Sequence, residues 1–72
     1  MEIIELDKEF ITLGQLLKYE NIVESGGMVK MFLSENSVFV NDIPENRRGK
    51  KLFAGDIIYI ENIGKFEIKS IV

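Results

Sequence analysis

Two short stretches hold the residues best suited to chemistry. In the first, Ser25, Gly26 and Gly27 stand just ahead of Lys30. Glycines at the first positions of a helix cost about 1 kcal/mol each in helix propensity. They also clear side chains away from N–H groups at the positive end of the helix dipole, where a phosphate can approach closely. Gly27, Lys30 and Ser34 share one face of such a helix, so Lys30 looks toward the same solvent or ligand. The competing reading is tight packing of this turn against an earlier helix, with Lys30 merely solvated. In the second stretch, Glu45-Asn46-Arg47-Arg48-Gly49-Lys50-Lys51, four basic side chains fall within five positions. Arg offers phosphate a planar fork and Lys a point charge, and Gly49 lets the backbone bend around a ligand. A solvated loop is the plain alternative.

Other chemistries lack their residues. The 72-residue chain has no Cys and no His, which removes disulfides, thiolate nucleophiles, His bases and Cys/His zinc sites. Asp42, Glu45 and Asp56 are better explained by turns and solubility than by acid–base work. Ser25 and Lys30 point to different faces of a helix and form no dyad. No P-loop or nucleophile elbow occurs. The expectation is a non-enzymatic protein without cofactor or metal.

Charge argues both ways. The net charge is −3. Glu2, Glu5, Asp7 and Glu9 against Lys8 account for all of it. Removing those four acids and one base from 12 and nine leaves eight of each. Distribution therefore matters more than the sum. No apolar run nears the ~20 residues that span a bilayer, and the acidic N-terminus is unlike a cationic signal peptide. A cytoplasmic, monomeric, single domain over residues 1–72 is expected, with no membrane contact.

These stretches need elements to hold them. Ile3, Ile4 and Leu6 suggest a first strand. Thr12 and Gln15 form a capping box, and Ile11 with Leu16 a hydrophobic staple, for a short helix through Leu13, Leu16 and Leu17 to about Tyr19. Ser25 is the N-cap of a second helix with Met28, Val29, Phe32 and Leu33 at helical spacing, and Asn36 is its expected left-handed C-cap. Val38–Val40 reads as a strand stopped by Asn41-Asp42 and Pro44. After the basic loop, Gly55-Asp56 turns into a strand at 57–60. Asn62-Ile63-Gly64 turns again into a last strand with Phe66 and Ile68 facing inward. The order is one strand, two helices and three strands, an α+β domain.

The order and spacing of these pieces resemble the S4 RNA-binding domain. That pattern has a Leu-rich first helix, a Ser-led second helix, a strand ending Val-Asn, a basic stretch, and Gly-Asp before a strand. Here these are Leu13 to Leu17, Ser25 to Leu33, Val38-Phe39-Val40-Asn41, Arg47 to Lys51, and Gly55-Asp56-Ile57. The match spans about residues 11–61. It is nearest the small stand-alone bacterial branch, with its Ser-Gly-Gly-Met-x-Lys and Glu-Asn-Arg-Arg-Gly-x-Lys-Leu. The resemblance implies a small S4-like (alpha-L type) fold, with two short helices on a small, mainly antiparallel sheet. It also implies RNA contacts from Ser25, Gly26, Gly27 and Lys30 on the helix and from Arg47, Arg48, Lys50 and Lys51 on the loop, with Asn41 holding the turn that presents the loop. Two departures stand out. Gly26 replaces a frequent Arg, which loses a phosphate contact. Asp42 replaces a frequent Gly, which adds a negative charge near the loop.

The implied function is non-catalytic binding of structured RNA, ribosomal or transfer RNA, with the ribosome as a further partner. The acidic balance supports a rival, an S4-fold protein–protein adaptor with weak or no RNA affinity. No aromatic residue lies between Gly26 and Lys30 or between Arg47 and Lys51, and Phe32, Phe39 and Phe66 are read as core-facing. A surface with no stacking platform is therefore expected, suited to folded RNA rather than single strands.

Overall fold

The computed structural model describes residues 1–72. Strand β1 (Glu2–Leu6) lies parallel to the last strand, β7 (Gly64–Ser70), with Ile4 opposite Ile68. The beginning and end of the chain are thereby held side by side. β6 (Ile57–Ile60) pairs antiparallel with β7. β3 (Val38–Val40) pairs antiparallel with β6, and β4 (Ile43–Pro44) closes a hairpin on β3. The sheet order is β1-β7-β6-β3-β4. Alternation along each strand sends Val38, Val40, Ile58, Ile60, Phe66 and Ile68 to one face. There they join Leu13, Leu16 and Leu17 of α1 (Leu13–Tyr19) and Val29 and Leu33 of α2 (Val29–Glu35) in a single apolar core.

α1 starts as its sequence requires. The Thr12 hydroxyl accepts from the Gln15 N–H at 3.2 Å, and the Gln15 side-chain oxygen accepts from the Thr12 N–H at 2.9 Å. The helix ends in a Schellman arrangement around left-handed Asn21 (φ 58°), whose N–H donates to Lys18 O while the Ile22 N–H donates to Leu17 O. Left-handed Asn therefore closes the first helix and not the second. Asn36 is extended (φ −130°), and its side-chain amide donates to Phe32 O at 3.0 Å.

Other expectations need correction. Ser25 precedes a short 3₁₀ turn, Gly26–Met28, and makes no side-chain cap bond. The α-helix proper begins only at Val29, so Gly26 and Gly27 lie ahead of it. Met28 is exposed, because the change of pitch at the 3₁₀ turn rotates it off the apolar face. Phe39 is half-buried on the outer face of the sheet, stacked 6.0 Å from Tyr59, since its neighbours Val38 and Val40 both point inward. Three further short strands were not foreseen: β4, in which Pro44 pairs opposite Phe39 at the sheet edge and does not end the strand region, and β2 (Ile11–Thr12) and β5 (Lys51–Leu52), paired antiparallel as a separate ribbon.

Candidate nucleic-acid interface

The β2–β5 ribbon anchors the basic loop. Ile11 and Leu52 face each other and are buried, while Thr12 lies opposite Lys51. The chain before β5 then runs across the start of α1. The Leu13 N–H donates to Lys50 O at 2.9 Å, and the Gly14 N–H donates to Arg48 O at 2.9 Å. The free donors that open any helix are thus used here to hold the loop. Gly14 makes the close approach possible. A Cβ at this position would lie 3.3 Å from Arg48 O and 3.4 Å from both Arg48 Cβ and Val29 Cγ1.

The other end of the loop is braced by Glu45. Its carboxylate accepts from Arg47 Nε at 2.9 Å, from Arg47 Nη2 at 3.0 Å and from the Arg47 N–H at 3.0 Å. The Glu45 side chain is only 10% exposed against 71% for Arg47. The Arg47 hydrogen bonds pull the Glu45 pKa down to about 2 and raise that of Arg47. Arg47 therefore comes to any ligand already paired.

Held at both ends, the loop lines two shallow grooves. One, of about 250 Å³, lies between the loop and α1 and includes Gln15, Lys18, Gly26 and Arg48. The second, of about 480 Å³, is lined by Arg47, Gly49, Lys50, Lys51 and Phe53. Gly49 belongs to both, so the two grooves adjoin at this residue. Five of the chain's nine basic residues line them, and no acidic residue does. Arg47–Glu45 is the one ion pair in the structure, so Lys18, Arg48, Lys50 and Lys51 have no ion-pair partner, and of these Lys50 feels the Glu45 charge at longer range.

The residues named from sequence distribute unevenly over this surface. Gly26 and Arg48 are brought together in the first groove, and Arg47, Lys50 and Lys51 in the second. Ser25 and Gly27 are exposed next to Gly26. Lys30 is exposed and lines neither groove. Asn41 stands apart from both. It sits in the β3–β4 turn with φ 51°, donates to Asp56 Oδ1 at 3.0 Å and accepts from the Ile57 N–H at 2.9 Å. Asp56 also accepts from the Phe53 N–H at 2.8 Å. The Asn41–Asp56 pair thus ties the hairpin to the turn that follows β5. Asp42 lies beside Met1, Tyr59 and Lys65 rather than in the basic grooves, because the left-handed turn carries it to that edge of the sheet. Its charge does not bear on the loop as expected.

Packing does not account for the paired glycines. A Cβ on Gly26 would meet only Lys18 Nζ, at 3.9 Å, and one on Gly27 only Ser25 Oγ, at 3.9 Å. The glycine demanded by packing is Gly14, which went unremarked in the sequence. Lys18 was also missed, although a signal exists: it lies four residues after Gly14, on the same helix face. Its ammonium reaches over Gly26.

Aromatic rings do border the surface, contrary to expectation. Phe10 and Phe53 flank the ribbon with centroids 5.9 Å apart and planes at 49°, and Lys51 Nζ sits 4.7 Å from the Phe10 centroid. Phe53 lies just beyond the basic segment, and Phe10 reaches it only through the pairing of β2 with β5.

Away from these grooves, Glu20 at the end of α1 shares a hydrogen bond with Glu2. That bond, burial and the neighbouring charge raise its pKa to about 7.

A family model described as an S4 domain matches residues 4–69. The chain is 55% identical over 65 residues to the probable ribosome maturation protein RlbA of Bacillus subtilis (strain 168), which covers 90% of this chain and 92% of that protein.

Proposed function

The chain belongs to the S4 domain family, and from that premise we propose that it is a non-catalytic binder of structured RNA, with ribosomal RNA in a maturing particle as its target. One observation carries the reading. An acidic chain gathers five cations along two adjoining grooves that no acidic residue lines, the one nearby carboxylate, Glu45, being spent on Arg47. Such a surface attracts a polyanion whatever the sign of the net charge. The acidic balance that supported a protein adaptor resides on other faces, including residues 1–9.

Phosphates fit the grooves in a fixed order. Lys18 and Arg48 face each other across the first, over the bare backbone of Gly26. Lys50 and Lys51 follow along the second. Lys18 takes the place of the Arg often found at position 26. Cations held by a braced loop and a helix match a rigid array of phosphates, as in an A-form stem, better than a flexible strand. The test is fluorescence anisotropy at one salt concentration with an RNA hairpin, an unstructured RNA and single-stranded DNA of equal length. The hairpin should bind tightest. Equal binding of all three would reduce the activity to charge attraction, and a preference for single strands would overturn it. Sedimentation with ribosomal particles from lysate, lost after RNase, checks the target.

A further inference from the structure

We propose that Phe53, backed by Phe10, is a stacking platform for one unpaired base of the bound RNA, so that the preferred ligand is a stem interrupted by an unstacked nucleotide. The inference rests on the RNA-binding reading above and names the feature of the RNA that reading leaves open. It starts from the β2–β5 ribbon. Ile11 and Leu52 point into the core. Alternation then sends their neighbours Phe10, Thr12, Lys51 and Phe53 to the outer face. Phe53 is 41% exposed, although the core beneath it is filled by Leu52. Phe10 holds it from one side, and the Lys51 ammonium lies over the Phe10 ring.

The surroundings select the ligand. A nucleotide brings a flat π-face and a phosphate in one unit. The groove containing Phe53 supplies a ring together with Arg47, Lys50 and Lys51, and no carboxylate. The other aromatic pair, Phe39 and Tyr59, lacks this setting, since Tyr59 shares its groove with Asp42. Base–aromatic stacking accepts any base, so the platform recognises the unstacked state and not a sequence.

The probes are two RNA hairpins with the same stem, one fully paired and one carrying a single bulged 2-aminopurine. Wild-type protein should prefer the bulged hairpin by roughly 5- to 150-fold, the range set by one stacked base. Phe53→Leu keeps apolar packing against Phe10 but removes the ring, and should abolish the preference for the bulged hairpin over the paired one. Phe53→Tyr should restore it. Ring-proton shifts of Phe53 in the wild-type protein, moved by the bulged hairpin and not by the paired one, test the contact without a variant. Equal wild-type affinity for the two hairpins, or a preference surviving in Phe53→Leu, overturns the platform and leaves RNA binding intact. No binding to either hairpin overturns both.

Discussion

Replacing Lys18 with Ala separates the surface seen in the structure from the one suggested by sequence. Four groove cations have no ion-pair partner: Lys18, Arg48, Lys50 and Lys51. If each neutralises one phosphate, the slope of log affinity against log salt is about −2.8 to −3.6. Affinity should then fall about 50- to 150-fold between 50 and 200 mM salt. Removing Lys18 should make the slope shallower by about 0.7–0.9. Taking counterion release to vanish near 1 M salt, that loss is about tenfold in affinity at 50 mM and about fourfold at 200 mM. Lys18 is exposed and unpaired, so its melting temperature should match wild type. Anisotropy titrations with the hairpin at several salt concentrations measure the slope directly. Lys30→Ala is the control, because Lys30 lines neither groove. A Lys18→Ala protein with an unaltered slope, or a Lys30→Ala protein with a shallower one, would refute the reasoning.

Glycine substitutions should divide in thermal melts and binding titrations. Gly26→Val and Gly27→Val have open space and should both melt within a few degrees of wild type, and Gly26→Val, in the lining of the first groove, should weaken RNA binding. Gly14→Val drives carbons into Arg48 and Val29 and should cost about 1–3 kcal/mol, with affinity falling as the loop is displaced. Asn41→Ala removes two hydrogen bonds to the 56–57 turn and should cost about 1–3 kcal/mol in a urea titration, with an unchanged salt slope. The Glu2–Glu20 contact predicts a pH effect. Because the folded pKa of Glu20 is raised from 4.5 to about 7, its contribution is complete below pH 4.5 and is lost as pH rises through 7. Surface screening keeps the effect small, ~0.5 kcal/mol. Glu20→Gln should therefore raise the melting temperature by roughly 2–4 °C at pH 8 and leave it unchanged at pH 4.

Local signals in the chain were sufficient for what is local in the molecule. The Thr12–Gln15 capping box, the Leu face of α1, the alternation of β7 and the Asn-Asp and Gly-Asp turns each act within a few residues. Their physical causes are therefore visible in a short window. The basic loop and Gly26 were legible for the same reason, since charge density and missing side chains are properties of a segment. Tertiary structure decided which of these residues work together. Strands of two residues, such as β2 and β5, have no periodicity to read. Their pairing depends on two apolar residues far apart in sequence, Ile11 and Leu52, being buried together. That single pairing lays the basic loop on α1, requires Gly14 at the contact, brings Lys18 and Arg48 across one groove and turns Phe10 and Phe53 outward beside Lys51. None of this is encoded in a local pattern, because burial of the whole core, rather than the preference of any one segment, fixes the register of a distant pair.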